Sequence, residues 1–228
     1  CGPSDLRPFF AFSLYPVPCT LHLVPSRLPP SAFRAPTTYY SPMIRKNPSG
    51  DLPVVAVSAF VDPTAILCGK VVVEDDVFIG PYAVIRADET DEHGNMEPIV
   101  IGAGSNIQDG VVIHSRDGAP VTVGKRVSIA HRAIVHGPCA VGDACFIGFN
   151  AVLYNCELGN GCVVRHNSVV EGVDLPDSFH VPATMSVHSE TDLASIPRIT
   201  PDERGFSESV VKMNNHFAKA YKKLQNEF

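Results

Sequence analysis

The sequence predicts a mostly β chain: a parallel β-helix of hexapeptide repeats followed by a C-terminal α-helix. Three observations predict it. Aliphatic residues recur every six positions, first as Val55, Val61, Leu67, Val73, Ile79 and Ile85, then as Ile101, Ile107 and Ile113. A third run is Val123, Ile129, Val135, Val141, Ile147 and Leu153, continued after a one-residue slip by Leu158, Val164 and Val170. Glycine often follows the aliphatic residue, at Gly80, Gly102, Gly124, Gly142 and Gly148, where it is expected to tolerate the backbone angles of a tight corner. The C-terminal stretch SESVVKMNNHFAKAYKKLQNEF places Val210, Met213, Phe217, Tyr221 and Leu224 on one helical face. A six-residue period fits neither a helix nor an alternating strand; each repeat makes one short strand and a turn. With three repeats to a triangular coil, residues about eighteen apart stack.

The elements follow in order. Residues 1–42 are rich in proline, contain arginine and serine, carry one acid (Asp5) and lack the repeat. Three readings stand for them: an organellar transit segment, a disordered extension, or an upstream translation artefact with Met43 as the start. The prolines oppose an amphipathic transit helix. The protein is cytoplasmic if Met43 is the start and organellar if the segment is a transit peptide. Residues 43–175 are the expected β-helix. Its period breaks between Ile85 and Ile101, at the acidic loop RADETDEHGNMEP, and around Arg116–Pro120. Residues 176–206, with several prolines, read as a connector. Residues 207–228 read as the helix, capped by Ser207 or Ser209 and packed on a flat wall of the β-helix.

A chain of 228 residues can bury a continuous core, and 45% hydrophobic with 18% charged residues is a globular composition. A net charge of −6 gives no basis for a nucleic-acid or acidic-membrane partner. No apolar run is long enough for a membrane span. The seven cysteines contain no CxxC pair, which argues against a zinc ribbon or a thioredoxin-like motif. Cys139, Cys145 and Cys162 share one repeat position with Ala65, Val77 and Ala83, so they are expected as small buried residues in a reducing compartment.

Three of the nine histidines cluster: His114, His131 and His136. His114 follows Ile113 and His136 follows Val135. They are one eighteen-residue coil plus a four-residue insertion apart, so they stack on one face. Adjacent strands about 4.8 Å apart let two imidazoles share one metal ion, given zinc–nitrogen bonds of about 2.0–2.1 Å. His131 stands second after Ile129 and points elsewhere. It can reach an ion held by a neighbouring subunit, which gives an interfacial three-histidine site with one position open to water. His93, His166, His180, His188 and His216 have no comparable partners and read as exposed or structural.

At SNIQDGVVIHSR and SIAHRAIVHGPCAVGDACFIG the chain resembles the gamma-class carbonic anhydrases, particularly the archaeal prototype branch and its bacterial relatives, from about Pro53 onward. The resemblance implies a homotrimer of left-handed β-helices with a metal at each interface. The ion is zinc, with iron or cobalt in some members, and the substrate pair is carbon dioxide and bicarbonate. By resemblance His114 and His136 bind from one chain and His131 from the next. Arg86 and Asp88 resemble the interface ion pair, with Asp109 as a second partner for the arginine. Gln108 resembles the residue that bonds the hydroxide at the metal, and Glu89 the carboxylate beside it. Asn106 resembles a site-lining residue, and Asn214 the helix asparagine that reaches the site.

The sequence also departs from the family pattern. The prototype's long acidic loop after the first metal histidine is cut to SRDGAP, with Asp117 at the offset of the proton-shuttling glutamate. The loop after Arg86 is longer and carries Asp91, Glu92, His93 and Glu97. Lys212 replaces a tyrosine two residues before Asn214. Two rival readings are a weakly active or inactive scaffold, like relatives that serve as assembly subunits of respiratory complex I and of carboxysomes, and a coenzyme A-dependent hexapeptide acyltransferase with one histidine as base.

Overall fold

A computed structural model of the chain describes residues 43–226; the expectations for residues 1–42 lie outside them. Those residues form a parallel β-solenoid and a C-terminal helix. Every coil lays one short strand on each of three faces. The first face runs through Ile66–Gly69, Val84–Ala87, Val112–His114 and Ile134–His136, and the third through Phe60–Val61, Phe78–Ile79, Asn106–Ile107 and Ser128–Ile129. The third face is a 7-stranded sheet. The first and second faces share one 12-stranded sheet, because the strands Ile134–Val141 and Val152–Leu158 turn the corner between them.

The six-residue period becomes three interior columns. Leu67, Ile85, Ile113, Val135 and Leu153 fill the first face, and Ile79, Ile107, Ile129 and Ile147 the third; all are fully buried. Val73, Ile101, Val123 and Val141 fill the second. Cys139, Cys145, Cys156 and Cys162 are buried free thiols in the same core.

The glycines after the aliphatic residues have a different reason from the one expected. Gly102, Gly124 and Gly148 do not adopt positive φ. A Cβ on Gly102 would stand 2.6 Å from the Gly124 carbonyl carbon, and one on Gly124 2.6 Å from Asp143 Oδ1. These glycines let successive coils stack closely. The positive φ values fall later in the corners, on residues such as Asp76, Tyr82, Arg126 and Asn150.

Two boundaries move. The solenoid continues past residue 175 through His180–Val181 and Ser186–Val187. Leu175, Val181 and Val187 keep the six-residue step and are buried, but a second one-residue slip, five residues from Val170 to Leu175, and the neighbouring prolines hide it. The helix spans Pro201–Asn226, six residues earlier than expected, and Ser207 and Ser209 lie inside it. Its start is a capping box: Thr200 Oγ1 accepts from Glu203 N at 3.3 Å while Glu203 Oε2 accepts from Thr200 N at 2.8 Å, with Pro201 in the first helical position. The helix lies on the third face, where Tyr221 stacks on Phe60 at 5.1 Å and Phe217 meets Phe78 at 6.5 Å. Its buried line is Ser207, Asn214 and Ala218, while Met213 and Leu224 are exposed in the single chain.

Candidate metal centre

The candidate residues stand at two corners of the solenoid. Where the first face ends, Arg86, His114, His136 and Tyr154 are register partners on successive coils. His114 Nδ1 stands 3.2 Å from His136 Nε2, with the rings at 76°. Two nitrogens bound tetrahedrally at about 2.0–2.1 Å stand about 3.3 Å apart, so the observed separation fits a shared ion.

The contacts behind the rings bear on this. His114 Nε2 is 3.2 Å from Asp88 Oδ1 and 3.2 Å from Arg86 Nη2; His136 Nδ1 is 3.2 Å from the Gly137 carbonyl. Because His114 Nε2 either donates to Asp88 or accepts from Arg86, two proton arrangements are open, each making one of these two contacts. In the first, His114 donates to Asp88 and His136 to Gly137, which leaves lone pairs on both facing nitrogens and calls for a cation between them. In the second, Arg86 donates to His114, and His114 donates to His136. A metal selects the first, since ligating nitrogens are unprotonated and their outer nitrogens donate to a carboxylate or carbonyl. The donor set therefore fits a zinc-like ion.

Around this pair, Arg86 Nε pairs with Asp88 Oδ2 at 3.3 Å, and Glu89 Oε2 lies 3.9 Å from His114 Nε2. Tyr154, which sequence reasoning missed, sits 5.5 Å from the His136 ring and accepts from Arg116 Nη1 at 2.6 Å. It lies eighteen residues beyond His136, so the same ruler could have found it.

His131 stands at the other end of the first face, on the corner after Ser128–Ile129. Its Nδ1 is 3.6 Å from Asp109 Oδ2. His131, Asp109, Gln108 and Asn214 line one cavity of about 360 Å³ with Phe217 and Tyr221. Asn106 does not line it. Buried under the helix, it donates to Ser128 Oγ at 2.7 Å and accepts from Gln108 Nε2 at 2.8 Å, holding the glutamine in place. The face between the two corners is at least three extended residues wide, about 10 Å. Among the described residues no three His, Cys, Asp or Glu side chains gather in a metal-binding group.

Asp109 accordingly does not meet Arg86 within the chain. Asp117 is exposed and pairs with Arg116 at 2.8 Å. The two loops are joined: Gly118 N donates to Glu89 O at 3.0 Å, and Glu97 N to Gly118 O at 2.8 Å. Gly118 has φ +69, and a Cβ there would stand 2.5 Å from Asn95 O, so both loops depend on this glycine. Asp91 accepts from Asn95 N at 2.7 Å, Asn95 Nδ2 at 3.0 Å and His93 N at 2.9 Å. These bonds, led by the Asn95 side chain, hold its pKa below the usual carboxylate value. Lys212 lines a different cavity from Asn214.

A carbonic anhydrase of Methanosarcina thermophila is 36% identical to the chain over 204 residues, covering 80% of each. The chain belongs to the gamma-class carbonic anhydrase family. The carboxysome assembly protein CcmM of a Nostoc species is 34% identical over 174 residues, which are 72% of this chain but 30% of that protein. A hexapeptide transferase family structure from Anaplasma phagocytophilum superposes with a TM-score of 0.65 at 21% identity, covering 78% of this chain and 98% of that one, and shows the shared fold. No family model matches the sequence. Within this gamma-class chain the three histidines of the family resemblance stand as a pair and a single, at opposite ends of one face.

Proposed function

We propose that the protein is a carbonic anhydrase that hydrates carbon dioxide to bicarbonate and a proton, as a homotrimer with one metal site at each subunit interface. His114 and His136 of one protomer and His131 of a second copy hold the ion, zinc foremost, with iron or cobalt as alternatives. The observation that carries this reading is the facing pair of imidazole nitrogens at 3.2 Å, with the third histidine at a corner that only another copy can bring to it. A ring built from one repeated contact joins two unlike patches, here the His131–Asp109 corner and the Arg86–Asp88 corner. In that contact Asp109 becomes the arginine's second carboxylate.

When bound, the ion supplies a nucleophile from water at neutral pH. The protein's own groups do the rest. Gln108, fixed by Asn106, orients the nucleophile through its amide. Glu89, half exposed beside His114, accepts the proton and passes it outward. Asn214 and the rings of Phe217 and Tyr221 shape the carbon dioxide pocket. Stopped-flow hydration assays on metal-analysed, purified protein test the reading; a fully metallated trimer with no rate above buffer overturns it.

A second reading, an assembly subunit with little turnover, is favoured by the similarity to CcmM across 72% of the chain. The same assay separates the two. An acyltransferase reading has only the fold in its favour and predicts binding of coenzyme A.

A further inference from the structure

The C-terminal helix has two working flanks. Asn214, Phe217 and Tyr221 border the cavity with His131. On the other flank Glu208, Val211, Lys212, Asn215 and Lys219, at three- and four-residue spacing, border a second cavity of about 750 Å³ against the solenoid corner. That volume lies within the range of small-molecule pockets, about 300–1,000 Å³.

Its chemistry is specific. On a chain of net charge −6, the cavity is lined by Arg126, Arg204, Lys212 and Lys219 against one carboxylate, Glu208. Among the described residues none of these four cations forms an ion pair. Ile199, Val211 and Ala144 give an apolar floor. Asn215 also lines the cavity, and its Oδ1 is buried without a hydrogen-bond partner. Such an atom ordinarily finds one, and rotation of the amide about χ2 offers either its oxygen or its NH2 to a bound molecule.

We propose that this cavity binds an organic phosphate of nucleotide size, with its phosphates on Arg126, Arg204, Lys212 and Lys219 and its heterocycle on the Ile199–Val211 floor beside Asn215. Two guanidiniums suit phosphate because their forked donors match its oxygens. An excess of three positive charges calls for a polyanion rather than a single carboxylate. The floor and the amide distinguish the ligand from inorganic phosphate. The site uses none of the candidate metal ligands, so it does not rest on the hydration reading.

The experiment is isothermal titration of the full chain, in its native assembly, with ADP, pyrophosphate and adenosine. ADP is expected to bind saturably, one per chain and more weakly as salt rises; pyrophosphate is expected to bind less tightly, and adenosine not measurably. The double variant Arg126→Ala/Arg204→Ala is expected to weaken ADP at least about tenfold, while His131→Ala leaves it unchanged. Lys212→Glu, at an exposed helix position, reads the same charge should the double variant fail to fold. Absence of ADP binding up to about 2 mM overturns the proposal, as does undiminished binding to Lys212→Glu. Equal affinity for pyrophosphate and ADP overturns the nucleotide assignment.

Discussion

His114 and His136 are register partners on adjacent strands, and Nδ1 of the first faces Nε2 of the second at 3.2 Å. The four-residue loop around Asp117 is accommodated outside the ladder, so the pair stays in step despite the broken period. Each ring is also held from behind, His114 by Asp88 and His136 by the Gly137 carbonyl. A pair so fixed is organised before anything binds to it.

Protein purified without chelator is expected to carry about one metal ion per chain by elemental analysis. His114→Ala and His136→Ala should each lose most of it, because two remaining ligands hold zinc poorly. Less than a third of an equivalent after reconstitution counts heavily against the site.

Light scattering should give a trimer mass. His131 is half exposed in the single chain, so His131→Ala should leave the fold intact yet lose the metal. A stable monomer that binds zinc through three histidines would end the shared-site reading.

Asp91 and Glu89 should separate in kinetics. Asp91 is committed to Asn95 and His93, so Asp91→Ala should disturb the loop and gain nothing from added imidazole. Glu89→Ala should lower kcat by about tenfold or more, with kcat/KM less affected, and imidazole buffer should restore part of the loss. Stopped flow with and without imidazole decides; rescue of Asp91→Ala instead would make that residue the relay.

Glu203 should contribute to acid sensitivity. Its burial opposes the charged form, but the Thr200 backbone and hydroxyl bonds and His180 at 2.7 Å outweigh it and lower its pKa. A carboxylate lowered on folding stabilises the protein above its unfolded pKa, about 4.3. That contribution fades as pH falls through the lower folded value. Glu203→Gln should therefore melt earlier at neutral pH and decline less steeply on acidification. Identical melting profiles against pH would exclude this role.

Leu153→Ala, at a fully buried site in the first interior column, should cost about 3 kcal/mol in urea denaturation. A loss below about 1 kcal/mol would mean that the column relaxes around the cavity.

The solenoid was legible because its core is one-dimensional: a buried aliphatic residue every sixth position leaves a periodic trace, and the same ruler brings His114 over His136. Legibility failed where the trace is interrupted. The last coils were hidden by a one-residue slip and by prolines. The helix start carries no apolar period of its own; it is spelled instead by the capping box of Thr200, Pro201 and Glu203. Tyr154 lies one coil beyond His136 on the same ruler. The sequence by itself determined the repeat, the interior columns and the stacked histidines, all consequences of a fixed period. Asp109 under His131 follows the same spacing of 22 residues; only the tertiary structure decided that Asn106 holds Gln108 beneath the helix and that Asp91 staples its loop. Those bonds run between neighbours on one strand or fold a loop back on itself, and a six-residue period encodes neither the side-chain rotamers nor the covering helix that fix them.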